Sequence, residues 1–126
     1  MSTALIPSEE HRSRPRLALA PMYSSVRVRP EGRQRFTLSG HIYDISETGM
    51  RFEMDRSITP GTRVDIRATL PGPQRIDVHA SGRIVRLHDD DDEPGPIRMG
   101  MVFETFSRQV DRTQLSEYLA TGLKAA

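Results

Sequence analysis

The chain has no cysteine, which excludes disulfides, thiolate metal sites and a cysteine nucleophile and fits a reducing compartment. It has a single lysine, Lys124, so arginine carries nearly all of its positive charge. Aromatic residues make up 6% and apolar residues 36%, enough for a small core when the apolar positions are regularly spaced. No run approaches the roughly 18 apolar residues of a membrane span, and the opening residues lack the basic-then-apolar order of a secretory signal. These absences read as a soluble, cytoplasmic chain with no membrane insertion. The four histidines, His11, His41, His79 and His88, are scattered without metal-ligand spacing. No general base lies within the short motif that places Asp44 beside Ser46, so no triad is legible there. The expectation is a non-enzyme with no catalytic residues, no metal and no cofactor.

What is present is a run of short, evenly punctuated segments in 126 residues, a length that suits one domain. Residues 1–11 contain Pro7 and no sustained period and read as a flexible tail, with 12–126 as a single domain. From about residue 22 the apolar positions recur with period two. Val26 and Val28 form one run; Phe36, Leu38 and Ile42 share a parity in another, Arg35 to Tyr43; Met50, Phe52 and Met54 form a third. Val64 to Leu70, Ile76 to about Leu87, and Met99 to Phe103 complete six strands, separated by turn signals such as Pro30-Glu31-Gly32, Thr59-Pro60-Gly61 and Pro71-Gly72-Pro73. With no helical crossover between them, the strands should pair antiparallel and close into a small six-stranded barrel over about 22–106, an all-β architecture. Val110, Leu115, Tyr118, Leu119 and Leu123 then recur at helical spacing. They predict one amphipathic C-terminal helix over about 107–121, with Asp111 and Gln114 as a capping pair, Val110 and Leu115 as a staple and Gly122 as the stop.

Two parity slips carry information. Strict alternation from Ile42 would put Asp44 inside and Ile45 outside, so a β-bulge is expected near Ile42 to Asp44 that turns Ile45 inward and Asp44 outward. A second bend or bulge is expected near Ser81-Gly82, where the parity of the run shifts at Ile84-Val85. The polar loop His88 to Pro96 carries five consecutive acids, Asp89 to Glu93. It lacks the spaced ligands and glycine of a calcium loop and reads as solvated.

Net charge is +1, so an electrostatic argument must rest on local distribution. Between residues 1 and 35 seven arginines face three acids. Three of them fall in Arg12-Ser13-Arg14-Pro15-Arg16, where Pro15 biases Arg14 away from helix. A guanidinium forks onto phosphate or onto a guanine's O6 and N7, and stacks on a base, so the segment fits a nucleotide clamp as well as a solvated basic tail. The stretch Asp44-Ile45-Ser46-Glu47-Thr48-Gly49 reads Asp-x-Ser-x-x-Gly. In extended backbone Asp44 and Ser46 would share a face, and Gly49 would supply a turn that tolerates φ > 0 or a bare patch for a flat ligand.

Arg12-x-x-x-Arg16 followed by Asp44-x-Ser46-x-x-Gly49 resembles the paired signature of PilZ domains, small bacterial barrels that bind the second messenger cyclic di-GMP. The resemblance covers about residues 10–120, including Gly100-Met101-Val102-Phe103 in the last strand and the closing helix. It implies a signalling receptor or adaptor. Arg12 and Arg16 would grip phosphates and guanines, with Arg14 in support. Asp44 would accept from guanine N–H groups, Ser46 would bond ligand or loop, and Gly49 would let a base lie against the backbone. His11 stands where many members have another arginine, and Thr48 where many have glycine. Two alternatives stay open: a ligand-free adaptor of the same fold, and a small barrel that binds single-stranded nucleic acid. The second is disfavoured because most of the seven aromatics fall on inward or helix-packing positions. The sequence names no protein effector and does not decide between monomer and homodimer.

Overall fold

Alternating apolar residues need a sheet with one buried face, and a sheet this short hides its edges by closing on itself. The computed structural model describes residues 15–73, 75–85 and 97–125. Strands are β1 (Leu17–Ala18), β2 (Ser25–Pro30), β3 (Leu38–Ile45), β4 (Gly49–Met54), β5 (Arg63–Leu70), β6 (Ile76–Val85) and β7 (Ile97–Phe106), followed by helix α1 (Gln109–Ala125). All pairings are antiparallel. The order β3-β2-β5-β6-β7-β4 returns to β3 and closes a six-stranded barrel, to which β1 adds a two-residue edge on β3.

The barrel is filled by Val26, Val28, Ile42, Phe52, Ile66 and Val78 among others, each at most 1% exposed, and α1 adds Leu115 and Leu119 to the same core. The predicted bulge is present: Ile42 opposes Phe52, Asp44 opposes Arg51 and Ile45 opposes Met50, leaving Tyr43 as the extra residue. Ile45 is thereby fully buried and Asp44 stands on the outer face beside Arg51. The second irregularity lies where it was expected but on the other strand. Ser81 opposes Thr105 and Gly82 opposes Phe103, so the extra residue is Glu104 of β7. β6 itself keeps one parity, with Val78, Ala80, Gly82 and Ile84 all buried.

Other expectations are corrected. Phe36 is outside the core, its ring covered by the guanidiniums of Arg29 and Arg67 at 4.7 and 4.1 Å. The helix starts later than residue 107 and runs through Gly122 to Ala125. At Gly122 a Cβ would lie 2.6 Å from Leu17 Cδ2, so this glycine is a seat for β1 rather than a stop. Val110 is 43% exposed and staples nothing. The cap is instead built on Asp111, fully buried, whose Oδ2 accepts from Arg108 N at 2.9 Å and whose Oδ1 accepts from His79 N at 3.1 Å. Gln114 is not its partner; the third residue of the helix reaches back to the backbone N–H at its start, one half of a capping box. The expected tail 1–11 and the acidic run Asp89 to Glu93 lie outside the described residues.

Candidate functional site

The site begins with the backbone of the β3–β4 turn. Ser46 N donates to Gly49 O at 2.8 Å, closing the turn, and Phe103 N donates to Thr48 O at 2.8 Å, fastening it to β7. Ser46 is fully buried. Its Oγ accepts from Thr48 N at 3.2 Å and lies 3.2 Å from the Thr48 hydroxyl. Asp44 and Ser46 therefore do not share a face as extended backbone would require: the strand ends at Ile45, and Ser46 turns inward to hold the loop. Of the two roles the resemblance gives Ser46, bonding the loop is what its surroundings show.

Gly49 is also explained differently. Positive φ among the described residues occurs only at Gly32, Gly61 and Gly72. A Cβ on Gly49 would sit 2.3 Å from the carbonyl oxygen of Met101, so the bare patch is already occupied by the backbone of β7. Glycine is required because β4 and β7 approach too closely for any side chain.

Asp44 is the centre of charge. Ala18 of β1 pairs with Asp44 and Leu17 with Ile45, and this short pairing carries the adjacent Arg16 over the carboxylate. Arg16 Nη1 lies 3.1 Å from Asp44 Oδ1. From the other side Arg51 forks onto the same group, its Nε 2.8 Å from Oδ2 and 3.1 Å from Oδ1, with Nη2 also on Oδ2. Asp44 is 8% exposed, while the side chains of Arg16 and Arg51 keep 32% and 50% of theirs. The arrangement is a shielded carboxylate between two partly exposed guanidiniums, the kind of group that grips an anion or a guanine edge. A cavity of about 80 Å³ adjoins it, lined by Arg16, Thr48, Gly49, Arg51 and Val102 among others. That volume is too small to enclose a nucleotide, for which sites of about 300 Å³ or more are usual, so a ligand would lie across the surface.

Arg51 was missed by the sequence reading. The bulge that turns Asp44 outward is the signal that could have found it, since the same register makes Arg51 the cross-strand neighbour. Beside this pair, Tyr43 OH bonds Glu53 and accepts from Arg98 Nε at 3.0 Å, while the Arg98 guanidinium lies 4.9 Å from the ring centre. Desolvation, then the Glu53 hydrogen bond, pushes the Tyr43 phenol above its ordinary range. Arg12 and Arg14 lie outside the described residues. Among the described residues no group of three or more acidic, histidine or cysteine side chains could hold a metal ion.

Residues 10–121 match the family model described as the PilZ domain. The chain belongs to the PilZ family. Among solved structures this PilZ domain is similar to the Bacillus subtilis inhibitor of motility (MotI/DgrA), at 18% identity and a TM-score of 0.66 over 87% of this chain and 50% of that one. It is also similar to the PilZ domain of YcgR from Escherichia coli, solved with c-di-GMP, at 15% identity and a TM-score of 0.60 over 90% and 92% of the two chains. At these identities the likeness establishes the fold, and the present chain spans half the length of the Bacillus protein. No curated protein matches the sequence. Among the described residues no helix is long and apolar enough to cross a membrane.

Proposed function

We propose that this PilZ domain binds cyclic di-GMP across the outer mouth of the β3–β4 turn and acts as a non-enzymatic, cytoplasmic receptor or adaptor whose state is read by a separate protein. The observation that carries the reading is the Arg16–Asp44 ion pair at 3.1 Å. It joins the two halves of the Arg-x-x-x-Arg and Asp-x-Ser-x-x-Gly signature, far apart in sequence, at one point on the surface. The YcgR domain solved with c-di-GMP supports the ligand class by family.

The chemistry follows from the groups present. The ligand offers two phosphate charges and two guanines. Arg16 and Arg51 supply in-plane donors for phosphate or for a guanine's O6 and N7, and Asp44 supplies the acceptor that guanine N–H groups need. Arg12, with Arg14 in support, would join Arg16 in gripping the ligand. Ser46 and Gly49 act one step removed, by fixing the turn that holds Asp44. Binding exchanges part of the Arg16–Asp44 pairing for contacts to the ligand. Because Leu17 beside Arg16 is seated on Gly122, that exchange shifts β1 against α1 and offers a partner an altered surface.

Titration calorimetry with cyclic di-GMP tests this. The wild-type chain is expected to bind at micromolar or tighter affinity, about −8 kcal/mol or better, and more weakly as salt rises. The Arg12→Ala/Arg16→Ala double variant should lose at least about tenfold. Equal heats from the two proteins would contradict the reading, and no heat from either would leave a ligand-free adaptor.

A further inference from the structure

A second charged feature lies on the outer wall of the barrel, centred on β2 and β5. On the outer face Ser39 opposes Arg27, Arg27 opposes Arg67, and Arg67 opposes His79, one row across β3, β2, β5 and β6. Like charges directly across a strand pair destabilise it. The barrel contains another such pair, Arg63 opposite Arg83, and there it is compensated: Glu104 lies 3.8 Å from Arg63 and 3.0 Å from Arg83, and Glu31 lies 4.0 Å from Arg63. Among the described residues neither Arg27 nor Arg67 has an ion pair, and both are exposed. Arg67 is held by Phe36, 4.1 Å from its guanidinium carbon. Stacking uses the face of a guanidinium and leaves its in-plane N–H donors for an oxyanion.

We infer that the Ser39–Arg27–Arg67–His79 row is a docking site for an acidic protein segment, a strand or helix stripe presenting several carboxylates. The row is about 14 Å long at the usual spacing between strands. Its neighbours carry the barrel's own acids: Asp65, bonded by Arg29 and Ser81, on one side, and Asp77, bonded by Thr69, on the other. A membrane plane or a nucleic-acid backbone would bring phosphates onto those carboxylates, whereas a narrow acidic stripe meets only the arginines. Bases also find no platform beside the row. The Phe36 ring is already covered by guanidiniums, and the exposed aromatic Tyr23 lies in the turn before β2. The surface is separate from the Arg16–Asp44 site, so it does not depend on cyclic di-GMP binding.

The test measures fluorescence anisotropy of a labelled octaglutamate peptide, with an octathymidylate of equal length as the second arm, against the full chain at low salt. Peptide affinity should fall at least about tenfold in Arg27→Gln/Arg67→Gln, and less than about twofold in Arg63→Gln/Arg83→Gln and in Arg12→Ala/Arg16→Ala. Relief of the repulsion should also raise the Tm of Arg27→Gln by a few degrees, which shows that loss of binding is not loss of fold. The inference is overturned if the peptide does not bind, if the pairs of variants weaken it equally, or if the oligothymidylate occupies the row more tightly than the peptide.

Discussion

At the scale of single residues, the site separates groups that hold the fold from groups held ready. Asp44 is shielded, yet both of its guanidinium partners reach solvent. Replacing it leaves no stranded buried charge. Asp44→Ala is therefore expected to cost about 1 kcal/mol or less in chemical denaturation, while cyclic di-GMP binding falls at least about tenfold in calorimetry. Gly49 is the reverse case. The atom its Cβ would meet at 2.3 Å is backbone and cannot rotate away, so Gly49→Ala should destabilise by roughly 2–3 kcal/mol or prevent folding. A Gly49→Ala protein as stable as wild type would show that β4 and β7 are not in this register. The motif residues stand out in the sequence, but what Ser46 and Gly49 do within the turn does not. Whether a serine faces a ligand or its own turn depends on where the strand stops, and Ser46 falls one residue past that point.

At the scale of elements, local patterns were most reliable where one face is buried and least where ends are set by tertiary contacts. Val64 to Leu70 reads as alternation and is alternation, buried at every second residue. The bulge at Tyr43 was legible because burial of Ile45 demands it. The end of α1 was not, because Gly122 serves Leu17, a residue more than 100 positions away in sequence. Phe36 was misplaced because two arginines from β2 and β5 offer its ring a partner outside the barrel, which parity alone does not reveal. The start of α1 was misread in detail, since Asp111 takes three donors from Arg108, the residue just before the helix, and one from β6. Burial pulls the Asp111 carboxyl upward, and the bonds and charge of Arg108 together with the His79 N–H outweigh it and hold the group below its ordinary range. A carboxyl depressed in this way binds fewer protons folded than unfolded. Its stabilisation is complete above about pH 4 and is lost as pH falls through the depressed folded value. Asp111→Asn is expected to cost about 1–3 kcal/mol near neutral pH. Denaturation across the acid range should show the gap to wild type closing below about pH 4; a gap that stays constant would contradict the assignment.

At the scale of the molecule, closure of the barrel puts two sets of arginines to different uses. One set converges on Asp44 at the β3–β4 turn, where the edge strand β1 leads in from the Arg12–Arg16 segment. The other lies along the wall at Arg27 and Arg67. A net charge of +1 hides both, which is why composition said little about partners. The family was legible in the sequence through the spacing of two short motifs, whereas Arg51 and the wall row depended on register between strands that only the folded barrel supplies.

The central claim is that the shielded carboxylate between Arg16 and Arg51 is where cyclic di-GMP binds, and its most direct measurement is an amide ¹H–¹⁵N correlation spectrum of the labelled chain during titration with that nucleotide. The account expects saturable shifts concentrated on Arg16, Asp44, Ser46, Thr48, Gly49 and Arg51, spreading to Leu17 and Gly122, with Arg27 and Arg67 unmoved. Shifts absent at saturating nucleotide, or centred on the Arg27–Arg67 row instead, would contradict it.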